Sequence, residues 1–118
     1  MSDRGDWLRR LTAGWPGVNE SIKWQADRVF DVGGKMFAVT AVSGAEAGRI
    51  SFKVPDGHFL ALTEQPGIAP APYAARYKWV LVNEPERYGD DWLAERVRES
   101  YALVAAKLPR KTRTALGL

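Results

Sequence analysis

Phe30-Asp31-Val32-Gly33-Gly34-Lys35-Met36-Phe37-Ala38-Val39-Thr40-Ala41-Val42 is the stretch whose reading decides the fold. Two apolar-rich runs flank a pair of glycines, and such a pair supplies the positive φ angles that a tight two-residue hairpin turn requires. In Lys35–Val42, Met36, Ala38, Thr40 and Val42 alternate with Phe37, Val39 and Ala41. Both sets are mostly apolar, which predicts an interior strand. Upstream, Arg28–Val32 and Ser21–Gln25 read as two short strands or as one bent strand. Downstream, the small-residue loop Ser43–Gly48 leads into Arg49–Val54. There Ile50, Phe52 and Val54 point one way and Arg49, Ser51 and Lys53 the other.

Helices flank this sheet. Trp7, Leu8 and Leu11 form one stripe of a first helix running from Ser2 or Asp3 to Ala13, stopped by Gly14-Trp15-Pro16-Gly17. Pro55 suits the first turn of a short helix reaching Thr63. Gln65–Pro72 is proline-rich and predicts no regular structure, Lys78–Asn83 reads as a strand, and a shorter extended piece is expected near Tyr73. Asp90 or Asp91 is expected to cap a final helix whose buried face carries Leu93, Val97, Tyr101, Val104 and Leu108, with Pro109 ending it. The sum is an α+β two-layer sandwich: an antiparallel sheet of about five strands with helices on one face, in the order α-β(3)-α-β(2)-α. The whole span 1–118 reads as one domain, with 110–118 as a basic C-terminal tail.

Composition narrows the chemistry. With no cysteine, thiolate catalysis, disulfides and cysteine-based metal sites are excluded. His58 is the only histidine, no carboxylates are spaced helically around it, and its place at the start of a helix predicts a solvated or capping role. Gly33-Gly34-Lys35 is not a phosphate loop, because Met36 and a strand follow the lysine where Ser or Thr and a helix are needed. Asp90 and Asp91 read as partners of a helix N-terminus, not as an acid–base pair. No nucleophile-elbow motif is present. The expectation is a non-enzymatic protein without cofactor or metal. The polar start Met1-Ser2-Asp3-Arg4-Gly5-Asp6 and the lack of a long apolar run predict neither a leader nor a membrane span, and a cytoplasmic location. The formal charge of +3 is unevenly placed: residues 96–118 hold six cations against Glu99 alone, so the remainder is net negative.

Several of these segments resemble the MmcQ/YjbR family. They are Pro16-Gly17-Val18 with Glu20, Phe30-x-Val32-Gly33-Gly34-Lys35-Met36-Phe37-Ala38, and Ile50-Ser51-Phe52-Lys53. Pro66-Gly67-Ile68, Tyr73, Trp79-Val80, Ser100-Tyr101-x-Leu103-Val104 and Lys107-Leu108-Pro109 follow in order. The resemblance implies an antiparallel sheet with helices packed on one face, similar to type III secretion chaperones and frataxin-like sheets. It also implies DNA binding through a double-wing arrangement of hairpins. This chain departs from the pattern between the tyrosine and the tryptophan, where Arg76 and Lys78 are the only basic residues.

On that basis the expected nucleic-acid contacts are Arg28, Lys35, Arg49, Lys53, Lys78 and Trp79, with Arg110, Lys111 and Arg113 adding phosphate attraction. Five tryptophans (7, 15, 24, 79 and 92) sharpen the question. Trp7, Trp15 and Trp92 are expected to fill the layer between helices and sheet, with Trp79 a fourth candidate for the same role. Trp24 and Trp79, on an open sheet face beside Lys23, Lys53 or Lys78, would make an aromatic–basic surface. The alternative is a protein-interaction or chaperone-like module, a homodimer included, working through the open face. A contiguous basic stripe on that face favours DNA; an apolar face that pairs with a second copy favours the interaction reading. A small-molecule pocket between sheet and helices is a third option.

Overall fold

Residues 4–24, 27–41, 48–72 and 74–118 are described by the computed structural model. Helix α1 (Arg4–Thr12) is followed by strands β1 (Val18–Lys23), β2 (Asp27–Val32), β3 (Lys35–Ala41) and β4 (Ile50–Lys53). A 3-10 turn at Asp56–His58 leads into the short helix α2 (Phe59–Thr63), and strands β5 (Ile68–Pro70) and β6 (Trp79–Val82) follow. Helices α3 (Asp90–Ala106) and α4 (Arg110–Leu116) complete the chain. All six strands pair antiparallel in the order β1-β2-β3-β4-β6-β5.

Register shows which side chains share a face, because directly opposed residues point the same way. One row runs Glu20, Phe30, Ala38, Phe52, Val80, and the next runs Ile22, Arg28, Thr40, Ile50, Val82, Ile68. Apart from Ile22 on the edge strand β1, the apolar members of these rows are buried with Leu8 of α1 and with Leu93, Val97, Ala105 and Leu108 on α3 or just after it. Trp7, Trp15 and Trp92 pack partly buried against this core, as expected. The opposite face carries a row across all six strands: Ser21, Val29, Val39, Ser51, Leu81, Ala69.

The glycine hairpin forms as read, with φ of 59° at Gly33 and 86° at Gly34, and Gly34 N–H donates to Asp31 Oδ1. The simple alternation along β3 does not hold. Phe30 faces Ala38 while Asp31 faces Met36, so Phe37 is an extra residue in a bulge. The bulge turns Phe37 onto the helix side, where its ring meets Trp15 and Tyr101, and leaves Met36 lining the other face. Just past the last β3–β4 pair, the fully buried Ser100 of α3 donates from Oγ to Phe37 O at 2.7 Å and accepts from Lys53 N–H at 3.0 Å. One hydroxyl thus joins two strands to the long helix where the ladder ends.

Four further expectations change. The two upstream segments are separate strands, which raises the count to six. The proline-rich connection contains β5, at the sheet edge, where proline is tolerated because a missing N–H need not interrupt the ladder. Gly89, not an aspartate, is the N-cap of α3; Asp90 accepts from Arg4 Nη1 at 2.9 Å. The expected basic tail forms α4, whose Leu116 lies against Gly17 and Gly33. The extended piece expected near Tyr73 lies partly outside the described residues. No helix among the described residues is long and apolar enough to cross a membrane.

Candidate functional site

Antiparallel pairing brings the start of β3, the end of β4 and the start of β6 to one end of the sheet, since Ala38 faces Phe52 and Lys53 faces Trp79. Lys35, Lys53 and Lys78 therefore share that end. Helix α3 finishes there as well. The space beside Gly33 is filled by Leu108 and Leu116, so any side chain at Gly33 would strike Leu108. This contact carries Lys107, Arg110 and Lys111 to the hairpin, all three exposed like Lys35. Residues 107–118 contain no Asp or Glu. The α3 C-terminus favours the cations through its dipole.

The lysines feel one another. Burial first, and then the Lys107 ammonium, hold Lys53 below the ordinary lysine range; Asp56 opposes this and Lys78 adds to it. Lys53 Nζ donates to Tyr77 O, and Lys78 Nζ lies 5.3 Å from the centre of the Phe59 ring. Lys78 itself adopts a left-handed conformation with φ of 65°, and its carbonyl accepts from Val54 N–H at 2.9 Å. Next to it, the exposed Tyr77 is stacked by Arg76 at 4.8 Å.

Other expected contacts lie elsewhere. Arg28 falls in a helix-side row, with its side chain only 13% exposed and ion pairs to Asp6 and Glu20, both at 3.3 Å. Helix α1 crosses directly over it at Gly5, where a Cβ would collide with the guanidinium. Arg113 is half-buried on α4. Arg49 is at the far end of the sheet, just before β4, and has partners within the chain. Trp79 is 8% exposed, too buried for its ring to take a base on both faces. His58 is exposed, ends the 3-10 turn and makes no side-chain cap hydrogen bond. Among the described residues, no group of three or more His, Cys, Asp and Glu side chains is placed to hold a metal.

The open face carries a second feature. A groove of about 730 Å³ is lined by Met36, Val39, Leu81, Ala71, Trp24 and Trp79, with Asp27, Arg49 and Ser51 among its polar members. Trp24, with φ of 52°, stands 66% exposed at its rim. Val29, Ala71 and Trp79 are buried on this side without belonging to the main core. Among the described residues the groove lining is mainly apolar, with Arg49 its one cation.

The sequence reading missed Lys107 and the groove residues Met36 and Leu81 as site members. Lys107 had a signal, since it follows the last turn of α3 directly beside the core residue Leu108. Met36 had none, because the bulge that exposes it is invisible to alternation.

A six-stranded antiparallel sheet, helices on one face, and a cationic end built from a hairpin and a C-terminal helix define the class: a small α+β sandwich. The chain belongs to the YjbR family, whose model matches residues 13–103. It is similar to the crystal structure of the Deinococcus radiodurans protein DR2400, described as a DUF419 domain. That match has 29% identity and a TM-score of 0.84, and covers 96% of this chain and 87% of that one. A Pseudomonas syringae protein of known structure shares the fold at 18% identity and a TM-score of 0.67, over 87% of this chain and 99% of that one. No curated protein matches the chain.

Proposed function

We propose that the chain is a non-enzymatic nucleic-acid-binding protein that holds DNA phosphates at the cationic end of its sheet. One observation supports this above the others: Leu108 and Leu116 pack on the β2–β3 hairpin that carries Lys35, which brings the segment with Lys107, Arg110 and Lys111 to that end, where Lys107 and Lys78 both act on Lys53. The contacts belong to the hairpin tip and the C-terminal helix, not to the strand face. Cations of this kind neutralise phosphates and position a duplex without reading its sequence. The matching test is fluorescence anisotropy of labelled duplex and single-stranded oligonucleotides at low salt. Binding that weakens in Lys35→Ala, Arg110→Ala and Lys111→Ala fits the proposal. No binding, or binding indifferent to all three, contradicts it.

The apolar groove favours a second reading, a protein-interaction module that takes an apolar segment on the open face. Such grooves bind through a few large side chains in desolvated pockets. Peptides selected against the protein should then lose affinity in Leu81→Lys and Trp24→Ala but not in Lys111→Ala. Peptides indifferent to both groove changes would remove this reading.

A further inference from the structure

The cationic end holds an exposed aromatic side chain that phosphate binding does not use. Trp24, the most exposed aromatic residue among the described residues, follows Lys23 at the opposite end of the sheet, whereas Tyr77, 55% exposed, stands beside the lysines. The turn that presents Tyr77 is held on several sides. Tyr77 N–H donates to Ala74 O at 3.1 Å, Lys78 N–H donates to Ala75 O at 2.9 Å, and Val54 N–H ties Lys78 O to the end of β4 at 2.9 Å. Lys53 Nζ donates to Tyr77 O. Lys78 closes the turn with φ of 65°, a conformation that a residue other than glycine keeps only where its surroundings hold it. The Arg76 guanidinium lies over the Tyr77 ring at 4.8 Å, and Arg76 Nη2 donates to Tyr77 Oη at 2.8 Å. The ring is thus braced by one cation while more than half of the residue meets solvent.

We infer that the cationic end takes single-stranded DNA, with an unpaired base stacked on Tyr77. This rests on the phosphate-binding reading proposed above and adds the form of the nucleic acid. In a duplex the neighbouring pairs cover each base face, and the grooves offer base edges only. An exposed flat ring among cations therefore gains a stacking partner from a strand whose bases are free. Single strands are held in this way without sequence readout: cations track the backbone, aromatic rings take base faces, and arginine adds a cation–π contribution. Lys53 and Lys78 adjoin Tyr77, and Lys107 acts on Lys53, so cations for the flanking phosphates lie at the same place. The aromatic–basic surface that the sequence placed on Trp24 and Trp79 is thereby assigned to Tyr77, because Trp79 is buried and Trp24 is remote from these lysines.

Fluorescence anisotropy at low salt tests this with full-length protein and three labelled probes of one length: a thymidine single strand, the same strand made abasic, and a duplex. Wild-type protein should bind the thymidine strand about tenfold or more tighter than the abasic strand, the size expected of one stacked base. Tyr77→Ala should erase most of that preference, and Tyr77→Trp, which keeps a stacking ring, should retain it. Binding of the abasic strand by wild type and Tyr77→Ala alike shows that the variant is folded. Equal wild-type binding of the thymidine and abasic strands overturns the inference, as does a preference that survives Tyr77→Ala. Either result, with duplex binding still weakened by Lys111→Ala, leaves the phosphate reading standing. No binding of any probe overturns both.

Discussion

The cationic end and the open face are made from the same strands, yet the fold treats their side chains in opposite ways. At the end, Lys53 feels Lys107 and Lys78, opposed by Asp56, and the hairpin with Lys35 and the helix with Arg110 and Lys111 dock at the same end. On the face, Val29, Val39 and Leu81 share one row, and no cationic stripe forms among the described residues. The difference teaches that charge in this chain is placed by strand ends and by helix docking, not by strand alternation. Arg28 makes the point from the other side: alternation puts it in the sheet, and the overlying α1 then absorbs its charge.

The contrast can be broken or sharpened by substitution. The largest effect on stability is expected beneath both regions, in the shared core. Phe52→Ala should cost about 3–5 kcal/mol in denaturant unfolding, because it empties a fully buried site. Ser100→Ala should cost about 1–3 kcal/mol by leaving Phe37 O and Lys53 N–H without their shared partner, and thermal unfolding would show it. By contrast Leu81→Lys, on the open face, should change stability by about 1 kcal/mol or less while removing any apolar ligand of the groove.

A smaller effect tests the cationic end through protons. Lys53 is held below the ordinary value of 10.5, so between its folded value and 10.5 the unfolded chain binds more protons than the folded one. This group therefore makes stability rise with pH across that window, and Lys53→Met should flatten the rise. A bound phosphate would favour the charged amine, so duplex binding in the same window should take up protons. Calorimetry in buffers of different ionisation enthalpy measures that uptake, and its absence would place the phosphates away from Lys53. Tyr101 titrates in the opposite sense: burial raises its hydroxyl above 10.0, so its share of stability is full below 10.0 and is lost as pH rises through the folded value.

Much of the architecture was legible because its signals are local. The Gly33-Gly34 turn, the alternating Ile50-Ser51-Phe52-Lys53 and the stripe from Leu93 to Leu108 each carry their own geometry. What escaped depends on contacts between distant segments. The bulge at Phe37 adds one residue without any special composition, and β5 hides among prolines that an edge position tolerates. The docking of Leu116 on Gly17 and Gly33 turned an expected tail into a helix. The candidate site was partly legible: Lys35, Lys53, Lys78, Arg110 and Lys111 share one end, whereas Arg28 and Arg49 lie elsewhere. Which face of the sheet α1 would cover is a tertiary outcome, and no residue pattern in β2 announces it.

The salt dependence of duplex binding tests the central claim most directly. For wild-type protein, log affinity should fall linearly with log salt by roughly 0.9 per phosphate neutralised, and removing Lys111 should reduce that slope by about the same amount. A flat salt response, or a slope unchanged by Lys35→Ala, Arg110→Ala and Lys111→Ala, would contradict the account.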